Sequence, residues 1–159
     1  MKKQANIFIV LLGLMGSTPL ATPLVYAQNV QVFNGDDINF GLWLPGDGGQ
    51  TSNQFFCVFK SSGDRRWDVV TVGSGAGGAF ELTDGGGNTL VPQWVRIRNR
   101  TITANVSENF GQADNAGAAD CTEAGGDNQR FRIRFTNAVL GSTPPGTYTG
   151  TVTLTVTPP

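Results

Sequence analysis

Residues 146–156, Gly-Thr-Tyr-Thr-Gly-Thr-Val-Thr-Leu-Thr-Val, follow a period of two. Tyr148, Val152, Leu154 and Val156 share one parity, and Thr147, Thr149, Thr151, Thr153 and Thr155 share the other. Successive side chains of an extended backbone point to opposite faces, so this run offers one apolar face to a core and one hydroxyl face to water. Threonine is β-branched, which favours strand even on the wet face. Pro144-Pro145-Gly146 turns the chain into the run and Pro158-Pro159 stops it, because proline brings no N–H to a ladder. The reading is of a chain that closes on a strand, with nothing after it to pair with.

The opening of the chain is of another kind. Lys2 and Lys3 precede the apolar run 7–15, and Val25-Tyr26-Ala27 follows with small residues at cleavage-site positions. The apolar run is too short to span a bilayer, so residues 1–27 read as a secretory signal peptide. Residues 28–159 are then a single exported domain, beginning at Gln28, with no second hydrophobic run to hold it in a membrane. That is length enough for one real core.

Losing Lys2 and Lys3 leaves nine basic residues against twelve acidic ones. Such mild acidity argues against bulk nucleic-acid binding. The chain's 22 glycines, its many threonines and the lack of any long 3.6-residue period point to short strands and frequent turns, hence an all-β sandwich or barrel. Strands are expected around Val30 and Val32, over 38–44 with Ile38, Phe40 and Leu42 on one parity, and over 54–60, 67–72, 79–82, 90–98 and 101–106. Residues 129–135 alternate without a break, placing Phe131, Ile133 and Phe135 inward. Residues 107–128, poor in apolar bulk, read as a long surface loop. No helix is expected after residue 27.

Cys57 and Cys121 are the only cysteines, and in an exported chain they read as one disulfide. A two-ligand metal site would lack partners, since histidine is absent. The same absence removes Ser-His-Asp and Cys-His chemistry. Asp36 with Asp37, Asp64 with Asp68, and Glu81 with Asp84 are candidate carboxylate pairs, but all lie where turns employ Asp for its backbone hydrogen bonds. Asp-Gly loops suggest calcium, yet the D-x-D-x-D-G spacing is missing. Gly73-Ser-Gly75-Ala-Gly-Gly78 matches a dinucleotide fingerprint, which works only where the glycines open a helix. Here they run into Phe80-Glu-Leu82 and three further glycines, so a loop is expected. The reading is of a non-enzyme with no cofactor, no metal and no bound nucleotide.

One charged pattern has geometry. Arg96 and Arg98 share a parity, as do Arg130, Arg132 and Arg134. If their strands are neighbours, these five make a positive stripe on one face, able to take an anionic polysaccharide or an acidic partner, or simply to solvate an outer surface against aggregation.

Asp37-Ile-Asn-Phe-Gly-Leu-Trp-Leu-Pro45, Phe55-Phe-Cys-Val58 and the ending Pro145-Gly-Thr-Tyr-Thr-Gly-Thr-Val-Thr-Leu-Thr-Val156 together resemble the spore coat protein U domain, also the building block of archaic chaperone–usher pili. The resemblance implies an immunoglobulin-like sandwich lacking its last strand. It also implies a periplasmic chaperone, an usher and neighbouring pilus subunits as partners, with a foreign strand docking beside Tyr148, Val152, Leu154 and Val156. The protein would pass through the periplasm to the cell surface, as a structural or adhesive fimbrial subunit. The alternative is a self-contained secreted sandwich that binds a carbohydrate or protein. Residues 28–36 leave little room for a donor extension, and the first-strand cysteine common in that family is missing, which together imply a subunit at a pilus end.

Overall fold

A computed structural model describes residues 4–11, 30–61, 64–111, 113, 121 and 127–159. Val25-Tyr26-Ala27, expected as the cleavage site, and Gln28, the expected start of the exported domain, lie outside them. The described chain is a β-sandwich of two sheets with one short helix. Its strands are β1 (Gln4–Leu11), β2 (Val30–Phe33), β3 (Ile38–Asn39), β4 (Gln50–Lys60), β5 (Trp67–Gly73), β6 (Leu82–Thr83), β7 (Thr89–Leu90), β8 (Trp94–Ile97), β9 (Arg100–Thr101), β10 (Ser107–Phe110), β11 (Gln129–Phe135) and β12 (Thr147–Thr157). The helix α1 is Asn137–Ser142.

One sheet runs β10-β5-β12-β1-β3, with β6 paired to β12 and β7 paired to β6; the other runs β2-β4-β11-β8-β9. All pairings are antiparallel except that of β1 with β12. The core fills the space between the sheets. Val69, Tyr148, Val152 and Leu154 come from the first sheet, and Phe56, Val58, Val95, Ile97, Phe131, Ile133 and Phe135 from the second. β11 follows the expected parity throughout, with Phe131, Ile133 and Phe135 buried and its three arginines half-buried on the opposite face. In β12, Tyr148, Val152 and Leu154 are buried, while Val156 at the rim is only partly so. Gly150 interrupts that inward parity because a Cβ there would meet the Glu81 carbonyl oxygen at 2.6 Å and Leu82 Cδ2 at 2.7 Å. The gap in the side-chain pattern lets β6 lie against β12.

Several elements depart from the sequence reading. The strand expected over 38–44 stops at Asn39, whose Oδ1 accepts from Gly41 N at 2.7 Å while Gly41 takes φ +71°. That local bond competes with the ladder. The parity is thereby lost: Leu42 is exposed, and Trp43 is buried instead with its Nε1 donating to Gly48 O. β6 keeps only the end of 79–82, and 90–98 divides at Pro92 into β7 and β8. β10 is a strand inside the expected 107–128 loop; most of the rest of that loop lies outside the described residues.

The glycine-rich run after β5 closes into a three-residue 3-10 turn, Ala76–Gly78, with Gly77 and Gly78 at positive φ. α1 was not anticipated. Thr136 caps it by accepting from Val139 N at 3.2 Å, Leu140 anchors it in the core, and Pro144 follows its end. A threonine three residues before an apolar pair, with a proline beyond, was the signal available for it.

Candidate functional site

Two regions gather the residues singled out by sequence, one at the edge of β12 and one on the outer face of β11.

β12 lies between β5 and β1. Towards β5 it pairs over Val152–Thr157, and towards β1 over Thr147–Leu154. Tyr148 stands opposite Ala5, Val152 opposite Ile9 and Leu154 opposite Leu11, whereas Val156 lies past the end of β1. On its far side β1 meets Ile38 and Asn39 of β3. The place held by Gln4–Leu11 is thus one strand wide and bounded on both sides. Without it, β12 and β3 would stand two strand spacings apart, about 10 Å. Val30 and Val32 do not cover this place, since β2 pairs with β4 in the other sheet. Tyr148 braces the start of β12: its hydroxyl donates to Pro144 O at 2.7 Å, four residues upstream. Burial, and secondarily the Asp84 charge, push its phenol above the usual range.

The arginines are brought together as the parity suggested. β8 is hydrogen-bonded to β11, with Arg96 opposite Arg132 and Trp94 opposite Arg134. On the other flank Arg130 stands opposite Phe55, and Arg134 opposite Thr51. Arg96 Cζ lies 4.3 Å and Arg132 Cζ 5.3 Å from the Trp94 ring centroid, within cation–π range. Amide and hydroxyl oxygens hold the guanidinium groups: Asn99 Oδ1 accepts from Arg130 and Arg132 at 3.4 Å each, Gln93 Oε1 from Arg134 at 3.0 Å, and Thr101 Oγ1 from Arg96 at 3.1 Å.

Arg98 departs from its expected place. β8 ends at Ile97, and Arg98 takes φ +56° in the turn to β9, donating its N–H to Arg130 O at 2.6 Å. It is close to Arg130 but does not continue the strand. Sequence reasoning also missed Trp94, Phe55 and Asn99; a tryptophan two residues before Arg96 on the same parity was the one available clue.

Cys57 and Cys121 form a disulfide with Cα atoms 6.0 Å apart. Asn128 secures the neighbouring backbone: its Oδ1 accepts from Val58 N at 3.0 Å and its Nδ2 donates to Val58 O at 2.9 Å, like one further rung of the β4–β11 ladder.

Most of the carboxylates considered for catalysis have structural partners. Asp64 binds Arg66 Nη2 at 2.5 Å and Nζ of buried Lys60 at 3.3 Å. The Arg66 hydrogen bond leads in lowering its carboxyl to about 2. Asp84 organises its own loop, accepting from Asn88 Nδ2, Gly86 N and Asn88 N; these bonds, the Asn88 side chain foremost, hold its carboxyl below the usual range. Asp68 accepts from Asn109 Nδ2 at 2.6 Å, and Asp36 stands 3.5 Å from Gln54 Nε2. Asp37 and Glu81 are not joined to these clusters by any described bond. Among the described residues no group of three ligating side chains converges to hold a metal. No helix among them is long and apolar enough to cross a membrane. Compared with models of known protein families and with curated protein sequences, the chain matches none.

Proposed function

We propose that this chain is an exported structural or adhesive subunit of a fimbria-like cell-surface assembly, its sandwich completed by β-strand addition. The observation that carries the reading is the one-strand slot between β12 and β3, filled by Gln4–Leu11. Those residues belong to the stretch that reads as a signal peptide, so processing at residue 27 empties the slot. A vacant slot presents unpaired backbone groups over buried Tyr148, Val152 and Leu154, which makes it an aggregation hazard and a docking site together. A chaperone strand, then a strand of a neighbouring subunit, would fill it. The parallel pairing of β1 with β12 is slightly the weaker kind per residue. A strand entering in the opposite direction would pair antiparallel over the eight rungs along β12 and parallel over only the two along β3, and so gain by the exchange. The Tyr148–Pro144 tie has the form of the tyrosine corner of immunoglobulin-like sandwiches, which supports that architecture.

A second reading rests on the same pairing. If Gln4–Leu11 stays attached, the sheet is sealed within the chain and the protein is a self-contained secreted binding module. The N-terminal sequence of the exported protein separates the two. A start near Gln28, with a peptide of alternating apolar residues raising the melting temperature, supports the subunit. An intact N-terminus on a stable monomer that ignores such peptides decides for the module. At a hundred times its dissociation constant a bound strand adds about 2.7 kcal/mol by mass action.

A further inference from the structure

The outer face of the five-stranded sheet has an unusual charge distribution. Arg96 and Arg132 stand directly opposite each other, an arrangement that destabilises a sheet pair. Arg130 and Arg134 flank Arg132 on the same face of β11, Arg98 stands in the turn beside Arg130, and among the described residues none of the five has a carboxylate within salt-bridge distance. Arg100, by contrast, sits 2.6 Å from Glu108. A face serving solubility alone would intersperse the two signs. Instead the like charges are held in place by Trp94, Gln93, Asn99 and Thr101, all neutral groups that orient guanidinium ions without discharging them.

At one end the stripe opens into a pocket of about 250 Å³ lined by Phe55, Arg98, Asn99, Asp127, Asn128 and Arg130, among others. Phe55 is 47% exposed there, one of few large apolar side chains left in water. With the Asn128 amide engaged by Val58, the set turned to the pocket is an exposed aromatic ring, the Asn99 Nδ2 donor, two guanidinium groups and the Asp127 carboxylate, whose Oδ1 also accepts from Asn34. Sugars match it: ring C–H faces pack on an aromatic, hydroxyl groups accept from the Asn99 amide and donate to a carboxylate, and an acid substituent pairs with a guanidinium. Asp127 also discriminates by donors, because sugar hydroxyl groups donate to it, whereas the ionised side chains of a polyacidic peptide and a phosphodiester backbone only accept. From Arg130 to Arg134 the stripe runs about 13 Å along β11, room for an oligosaccharide.

We propose that this pocket and the stripe of Arg96, Arg130, Arg132 and Arg134 bind an acidic, carboxylate-bearing oligosaccharide. The site is independent of the strand slot, which lies in the other sheet. The test is calorimetric titration of the purified protein at low salt with an alginate hexamer, a neutral maltohexaose and a hexaglutamate peptide, with tryptophan emission followed in parallel. The alginate hexamer should bind and perturb the Trp94 emission, and the two other probes should not compete with it. Arg130→Gln with Arg132→Gln should weaken binding about a hundredfold, as expected for two lost charge-assisted contacts, and flatten its salt dependence. Phe55→Ala should weaken alginate binding about tenfold. Arg132→Lys, which keeps the charge, should retain the melting temperature and show an intermediate loss, separating lost contacts from lost fold. Hexaglutamate binding as tightly as alginate would overturn the proposal in favour of an acidic protein partner. Maltohexaose binding as tightly, or no binding by any probe, would overturn it outright.

Discussion

The Tyr148 hydroxyl and the Asp64 carboxylate do different work at the two ends of the pH scale. Tyr148 is buried and donates to Pro144 O. Its phenol titrates above the usual range in the folded protein, so the folded state holds the proton more tightly than the unfolded chain. That stability is complete below the unfolded pKa near 10 and is lost as pH rises through the folded value. Tyr148→Phe should lower stability by about 1 kcal/mol at neutral pH, the usual net worth of one hydrogen bond, and should flatten the decline above about pH 10. Urea melts at pH 7 and pH 10.5 measure both effects. Asp64 has the opposite sign. Its carboxyl is lowered from 3.8 to about 2, chiefly by Arg66, so its contribution is present above the ordinary carboxylate range and fades as pH falls through about 2. It also accompanies buried Lys60, whose Nζ has Arg66 O as its other described acceptor. Asp64→Asn should therefore lower the melting temperature at pH 7, with the difference from the parent protein vanishing near pH 2. An unchanged difference across that range would assign the effect to packing.

At the scale of elements, β11 provides the sharpest contrast. Ile133 is 2% exposed and faces Ser52 and Val95 across its two ladders. Arg132, its neighbour in sequence, faces outward. Ile133→Ala should cost about 2–5 kcal/mol, the range for large-to-small core changes, whereas Arg132→Gln should stay within about 0.5 kcal/mol. Comparable losses in denaturant melts would mean that the strand's period of two does not govern its energetics. The parity of β11 and most of β12 was legible from sequence, because alternation is a property of the extended backbone itself. β3 was not, because the Asn39–Gly41 bond ends it locally. Nor was β10, whose pattern is too short to stand out and whose strand character comes from pairing with β5.

For the whole molecule, the disulfide is the long-range tie. It joins the middle of β4 to a residue 64 positions away. In the chain-entropy account such a loop stabilises the fold by about 4 kcal/mol, so Cys57→Ser should lower stability by up to that amount, measured as a shift in the urea midpoint. The pairing itself was legible from the presence of two cysteines in a chain that reads as exported. The amino-acid sequence by itself determined the sheet-rich class, the inward faces of β11 and β12, the cysteine bond and the shared parity of Arg130, Arg132 and Arg134. These are local or exhaustive properties: a side chain's face is set by its own backbone, and two cysteines admit one pairing. Tertiary structure alone decided that β8 lies beside β11 and sets Arg96 against Arg132, that Phe55 stands opposite Arg130, that Arg98 turns away from the strand, and that Gln4–Leu11 occupies the place between β12 and β3. Each of these joins segments far apart along the chain, and such pairings are chosen by how the assembled sheets bury their apolar faces and satisfy their backbone groups, which no single segment encodes.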